Sequence, residues 1–501
     1  MPAASRNALT EFMFRVHPWL YRRTGGRIGS RIGRFPFLLL NTRGRKSGEA
    51  RTNGLMYLKH GDAWAIAASW AGEPKHPAWY HNLMACPDTT IDVDGREVPV
   101  RARRLEGAER AEVWRKIVEH DSGFATYEER TRGVREIPVV LLEPRPARLL
   151  YGLNCSYFTG KLEAYFQSKG IPYHFVEMNR TQFKACAKAT GIAQLPCTQE
   201  PDGSWLTDTT KIIAHFEAQD KGLPFSSNDP AAAFCSLLLE DLFDEWFWRP
   251  ALYYRWAHDD DARLMSTELA RKLLRDVPLP LFLRRWFICI RQRFVYMKKD
   301  GVTKQTAPII ERQYLDSLAA LDAIFAKRAY LFGERPCEAD FGAFGPFFRH
   351  FFCDPTSGAL MRDRAPNLTH WVTRLWKTRP QDLADSAPVQ DIPQDLGFFF
   401  DMVSEDYLPY LEANAQAVMN GESEVAYRSK GVAWQIPTAP YRAECLNQLK
   451  SRFASLDQAD QARVGEVLSE HAITLLLAPE AAIKDEHTTV GRLGRPVAAF
   501  G

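Results

Sequence analysis

The stretch Val139 to Ser156 (VVLLEPRPARLLYGLNCS) restricts the possible folds more than any other. A β-branched and leucine run meets Pro144-Arg145-Pro146, and a second apolar run then enters a polar turn. Two strands of one sheet are ordinarily joined by a turn rich in Gly, Asn or Asp. Prolines on both sides of an arginine instead give a stiff, extended spacer that has no N–H to offer a ladder. The joint therefore ends one domain, residues 1–143, and begins another at 147. A chain of 501 residues has room for a further domain. Long helical patterns place it at 223–501, after a second domain at 147–219.

Hydrophobic content of 46% with 25% charged residues suits a soluble protein with real cores. A net charge of +3 gives no reason to expect a nucleic-acid partner. The charge is unevenly spread, because residues 1–51 hold eleven Lys or Arg against Glu11 and Glu49. Leu9 to Tyr21 reads as an amphipathic helix broken near Pro18, followed by the basic loop RRTGGRIGSRIGR. It reads first as a helix over a core, and alternatively as a peripheral contact with anionic lipid. Nine cysteines without a CxxC predict neither a disulfide framework nor a metal site. With no signal-like segment and no spanning run, a cytoplasmic protein is expected.

From Phe35 the texture is one of short strands with hairpin turns: FPFLLLNT, ARTNGLMYLK, AWAIAASW, a hairpin about Asp94-Gly95, and a final IPVVLLE. Six or so strands with few helices predict a small antiparallel barrel. Two loops carry the chemistry. TRGRKSGEAR sets Arg43, Arg45, Lys46 and Arg51 around two glycines, a turn able to aim N–H groups and cations at a phosphate or carboxylate. ASWAGEPKHPAWYHN adds Lys75, His76 and buried-looking Trp79 and Tyr80.

In this order and spacing, LLLNTRGRKSGEART, ASxxGxPKHPAWYxNL and IPVVLLEP resemble the deazaflavin-dependent nitroreductase and quinone reductase family over about residues 35–144. The resemblance implies a split β-barrel that binds coenzyme F420, with FMN as an alternative. It implies that Arg45, Lys46 and Arg51 hold the cofactor's phosphate or tail, with Lys75 adding charge, and that Ala68 and Ser69 lie along its ring. The implied reaction is two-electron reduction of a quinone, enone or nitro compound. Two departures stand out. Trp70 occupies a position where the family is expected to have lysine. In DSGFATYEER only Tyr127 remains of several tyrosines, with Asp121 and Phe124 at the other two positions, leaving Tyr127 as the proton-donor candidate.

The second domain reads as βαβαββα, with a helix from Cys155 and another capped near Asp208. LYGLNCSYFTGKLEAYFQSKGIPY, GIAQLPCTQ and LTDTTKIIAHFE resemble the thioredoxin-like domain of glutathione transferases. The resemblance implies Ser156 at the catalytic position, hydrogen-bonded to glutathione thiolate; a shift of one would make Cys155 a mixed-disulfide nucleophile. Cys155 reads equally as a small buried side chain. By the same resemblance Pro196 is cis, Leu195 pairs with the glutathione peptide, and Asp208 and Thr209 take its γ-glutamyl end. Lys211 reads as a solvated charge.

The remainder reads as long helices that resemble the all-helical half of glutathione transferases, with a helical extension beyond Asp391 and a ragged end after Pro479. Gly333 to Asp340 resembles the family's GxxPxxAD turn. DEWFWRPALYYRW reads first as core. RRWFICIRQRF reads as a buried stripe with snorkelling arginines rather than a membrane-surface helix. The fold expected is thus multidomain: a split, mainly antiparallel β-barrel, a thioredoxin-like α/β domain and an all-α domain. The function expected is a bifunctional enzyme, a deazaflavin-type reductase with glutathione-transferase-like chemistry on small electrophiles, acting as a homodimer. The alternatives are one activity with a binding or dimerising partner half, and a non-catalytic carrier or membrane-surface adaptor.

Overall fold

The computed structural model describes residues 8–24, 26–33, 35–94, 96–145, 148–219 and 222–482. The expectations for Pro146, for Gly95 of the hairpin turn and for the segment beyond residue 482 lie outside the described residues. The chain divides into two compact units, 1–147 and 148–501.

The first unit is a curled antiparallel sheet, a half-barrel. Its strands are β1 (Arg31–Ile32), β2 (Phe35–Arg43), β3 (Ala50–Met56), β4 (Leu58–His60), β5 (Ala63–Ala67), β6 (Asp88–Val93), β7 (Arg96–Arg104) and β8 (Val139–Pro144). They are ordered β1-β2-β6-β7-β8-β5-β4, with β3 on β2. Alternation along the strands builds two cores. Trp64, Ile66, Val140 and Leu142 pack with Leu38, Leu40, Trp79 and Leu83, while Ala63, Ala65, Val139 and Leu141 pack with Trp114, Ile117 and Phe124. Helix α2 (Ala78–Ala85) supplies the first core; α3 (Gly107–His120) and α4 (Gly123–Thr131) supply the second.

Helix α1 (Ala8–Arg23) does not break at Pro18. Proline removes one N–H, yet the turn is held on both sides. Tyr21 is buried, Arg22 reaches Asp92 at 2.9 Å and Asn41 at 2.7 Å, and His17 Nε2 lies 2.8 Å from the Gly29 carbonyl. A Cβ at Gly54 would come within 2.8 Å of His17 Nδ1, so the glycine lets the imidazole seat against β3. The ion pair takes Arg22 out of the supposed free basic loop.

The second unit opens with β9 (Leu149–Gly152), α5 (Tyr157–Lys169), β10 (His174–Glu177), α6 (Arg180–Thr190), β11 (Cys197–Gln199), β12 (Trp205–Thr207) and α7 (Thr209–Glu217). The sheet order is β10-β9-β11-β12, with β10 parallel to β9 and the other pairs antiparallel, a thioredoxin-like arrangement. Helices follow, sharing a continuous core in which Trp246, Phe247, Trp248, Tyr254 and Trp256 are all buried. These residues of the aromatic cluster are thus core, the first reading given for it.

Two expectations for the helical region fail. Glu424–Ser429 and Val432–Pro437 form an antiparallel hairpin within the extension expected to be helical, between the two helical patterns that end at Met419 and resume at Tyr441. Lys430 and Gly431 both have positive φ, at 47° and 79°, which two-residue hairpin turns of the twist-matching type require. RRWFICIRQRF is not a buried stripe either: Trp286, Phe287 and Phe294 are exposed, and Ile288 and Gln292 face inward.

Candidate functional site

In the first unit the turn after β2 is shaped by its glycines. Gly44 N–H donates to the Glu49 carbonyl at 2.8 Å, and Gly48, at φ 69°, donates to the Gly44 carbonyl at 2.7 Å. Arg45 and Lys46 are exposed at its tip. The Arg45 N–H donates to Asn82 Oδ1 at 3.1 Å, which ties the turn to α2. Arg51 is exposed and ion-paired with Glu49, so its charge is partly compensated.

The second loop begins at the end of β5. Ala68 is fully buried and Ser69 half-buried. Trp70, Ala71 and Gly72 follow at φ 44°, 54° and 81°, three successive residues in the left-handed region. Only the last is glycine, so the turn stores strain that its surroundings must hold. Arg135 holds it, its Nη2 donating to the Ser69 carbonyl at 2.7 Å, Nη1 to the Ala68 carbonyl at 3.2 Å, and Nε to the Glu73 carbonyl at 2.9 Å. Nη1 also lies 3.0 Å from His76 Nδ1. Guanidinium has no acceptor, so Nδ1 accepts and the neutral ring carries its proton on Nε2. Burial, then Arg135 and His81, depress the His76 pKa and keep that form.

Trp70, Lys75, His76, His81 and Arg135 line an open pocket of about 500 Å³ with Pro74 and Ala78. Helix α4 backs the loop: a Cβ on Gly72 would lie 3.3 Å from the Tyr127 Cα. Tyr127 is half-buried and packs edge-on against Phe124 at 5.6 Å. Phe124 in turn meets Trp114 in the core, while Asp121 Oδ1 accepts the Gly123 N–H at 3.0 Å. The two departures from tyrosine are therefore a packing residue and a turn cap.

In the second unit Ser156 caps α5, its Oγ accepting the Thr159 N–H at 3.3 Å, and it has no exposed surface. Cys155 is half-buried, and burial raises its thiol pKa despite Arg255 and Lys272 nearby. The thiol is held protonated, which does not favour a nucleophile. Arg255 fixes this turn by donating to the Cys155 carbonyl at 2.8 Å while pairing in a fork with Asp354. The Leu195–Pro196 bond is cis, and Leu195 is buried. Asp208, at φ 73°, caps α7 by accepting from Thr210 and Lys211, and Thr209 is buried behind it. Lys211 is exposed, with Nζ 3.8 Å from Asp208 Oδ2. Tyr441, from the helix Pro440–Ala454, donates to Asp208 Oδ2 at 3.1 Å.

The family model of the F420H2-dependent quinone reductases matches residues 13–144. A quinone reductase of that description from Mycobacterium tuberculosis is 42% identical over 137 residues, which is 26% of this chain and 91% of the relative. The chain belongs to the F420H2-dependent quinone reductase family. A counterpart from Mycobacterium bovis has the same identity and coverage. The glutathione S-transferase N-terminal and C-terminal domain models match residues 150–224 and 285–378, so the reductase module is fused to transferase-like domains. Among solved structures, an F420-H2 dependent reductase is 38% identical over 22% of this chain and 94% of its own, with a TM-score of 0.20. A beta-etherase of Sphingobium is 20% identical over 48% of this chain and all of its own, at a TM-score of 0.34. The FMN alternative finds no support in these matches.

Against that family assignment, Arg135 and Asn82 are the residues sequence reasoning missed. Neither carries a local signal, since Arg135 acts 66 positions from Ser69 and Asn82 37 positions from Arg45. Tyr441 lies 233 positions from Asp208 and outside both transferase matches.

Proposed function

We propose that the chain is an enzyme that reduces quinone, nitro or enone electrophiles with reduced coenzyme F420, and that its transferase-like domains bring glutathione chemistry to related electrophiles. The observation that carries the reductase reading is the Arg135 clamp on the Ala68–Ser69 loop beside a pocket lined by Lys75, His76 and Trp70. A cationic rim, an aromatic wall and a fixed strand end suit an anionic, flat cofactor. When bound, reduced F420 supplies a hydride.

The residues divide the remaining work. Arg45 and Lys46 take the phosphate or acidic tail, with Arg51 weakened by Glu49. Lys75 adds charge at the pocket, and Ala68 and Ser69 present backbone along the ring. Trp70 offers a face in place of the family's lysine. Tyr127, behind the same loop, is the proton donor to the reduced substrate. Clamping the loop preorganises the site, so that less binding energy goes into ordering it.

For the transferase-like part, Leu195 and Pro196 would pair with the glutathione peptide, Asp208 and Thr209 would hold its γ-glutamyl end, and Ser156 or Cys155 would face its sulfur. A second reading, one activity with a ligand-binding or dimerising half, is favoured by two observations: Ser156 is buried as a cap, and Tyr441 already occupies Asp208. The reading has domains at 1–143, 147–219 and 223–501 in a cytoplasmic homodimer that handles electrophiles. The test is oxidation of reduced F420 by the full chain with quinone, nitro and enone acceptors, run beside conjugation of glutathione to an aryl halide. Turnover in both assays supports two activities. Turnover in the first alone supports the second reading, and turnover in neither rejects both.

A further inference from the structure

The helix Leu281–Ile290 continues through a π-helical turn, Arg291–Tyr296, into Met297–Lys299. Along it the usual amphipathic arrangement is inverted. Ile288, Gln292 and Tyr296, spaced by four, are buried against the domain. Phe282, Trp286, Ile290 and Phe294, also spaced by four, point to solvent at 63%, 62%, 37% and 70% exposure. Leu283 and Phe287 widen this ridge, and the exposed Leu279 extends it beyond the helix start. A turn with i→i+5 bonds favours a spacing above 3.6, which keeps a line of fourth residues on one side. An apolar face of this size exposed on a soluble domain marks an interaction surface.

The charge along this segment is of one sign between Asp276 and Asp300, and the exposed Asp259 of the neighbouring helix is paired to Arg293. From Val277 to Lys299 there are six basic residues, Arg284, Arg285, Arg291, Arg293, Lys298 and Lys299, and no acidic one. Arg285, Lys298 and Lys299 are exposed, while Arg293 is engaged by Asp259 at 2.7 Å. We propose that this face lies in the headgroup region of an anionic membrane, with Phe282, Trp286, Phe287 and Phe294 inserted and the exposed lysines and Arg285 against lipid phosphates. No helix among the described residues is long and apolar enough to cross a bilayer, so the contact is peripheral. A second copy of the chain fits the face less well. In a two-fold dimer the patch would meet itself, setting Arg285, Lys298 and Lys299 of one copy near the like charges of the other.

The test is sedimentation of the full chain with phosphatidylcholine vesicles, with and without phosphatidylglycerol. Three forms are compared: wild type, Phe282→Ser/Trp286→Ser/Phe294→Ser, and Arg285→Glu/Lys298→Glu/Lys299→Glu. These side chains are exposed, and unchanged circular dichroism melts confirm folding in each form. The expected result is binding to anionic vesicles that the serine variant weakens by about tenfold or more, with the glutamate variant losing the preference for anionic lipid. If the serine variant does not fold, loss of that preference in the glutamate variant carries the test. Equal binding by all three forms, or no binding by wild type, overturns the proposal. So does a wild-type dimer in sedimentation velocity that the serine variant dissociates without any vesicle binding, which would give the face to a second copy.

Discussion

The hydroxyl of Tyr441 donates to Asp208 Oδ2 across 233 residues, so a side chain of the C-terminal extension holds the carboxylate that caps α7. The same carboxylate is the one proposed to hold the γ-glutamyl end of glutathione. A ligand using Asp208 Oδ2 competes with the phenol for it. Tyr441→Phe frees Asp208 with little change of volume. We expect it to strengthen retention on immobilised glutathione by about tenfold or more, the scale of one hydrogen bond to a charged group. Asp208→Ala is expected to abolish retention. Identical behaviour of wild type and both variants would remove Asp208 from the ligand site.

Arg135 makes three backbone hydrogen bonds to the loop from Ala68 to Glu73 and a fourth to His76. Arg135→Ala should leave the left-handed turn at Trp70 to Gly72 without support. The expected consequence is a loss of reduced-F420 affinity of about tenfold or more, which a fluorescence titration reads. Arg135→Lys should recover only part, because a single ammonium cannot span carbonyls that a planar fork bridges.

His76 provides a pH prediction with a defined sign. Its folded pKa is depressed below the ordinary 6.5, by burial first and then by Arg135. The unfolded or unclamped state therefore binds more protons near and below pH 6.5. The contribution of His76 is fully present above that pH and is lost as pH falls through the folded value. Protonation also consumes the Nδ1 lone pair that accepts from Arg135. Cofactor affinity should decline below pH 6.5 in wild type and decline less in His76→Gln. A histidine NMR titration showing His76 at or above 6.5 would contradict the depression by burial and Arg135.

Arg255 and Asp354 form a forked pair with side chains 3% and 1% exposed, and Arg255 also holds the Cys155 carbonyl. Arg255→Met leaves a buried carboxylate without its partner and should cost about 3–5 kcal/mol in a denaturant melt. Arg255→Met/Asp354→Leu should recover much of that loss. A single variant as stable as wild type would show that the charge pair contributes little.

The elements were legible where one periodicity decided them. The apolar runs AWAIA and VVLL, bounded by turn residues, mark strands of the half-barrel, and the βαβαββα order marks the thioredoxin-like part, whose cis Pro196 the family resemblance implies. The hairpin Glu424–Pro437 is not legible locally: its Lys430-Gly431 turn lies between alternating residues, but strong helical patterns flank it on both sides. The stripe at Phe282 to Phe294 was correctly helical but assigned the wrong orientation. Periodicity locates an apolar face and is silent on whether protein or something else covers it. At the candidate site the cations were readable as residue types, but Arg135, Asn82 and Tyr441 act through tertiary contacts that no local pattern encodes.

The central claim, that the first unit is a working F420 site, is tested most directly by titrating the full chain with oxidised and reduced coenzyme F420 while following cofactor fluorescence. Saturable binding is expected, weakened by Lys46→Ala and by Arg135→Ala. Absence of saturable binding, or binding indifferent to both substitutions, would contradict the claim.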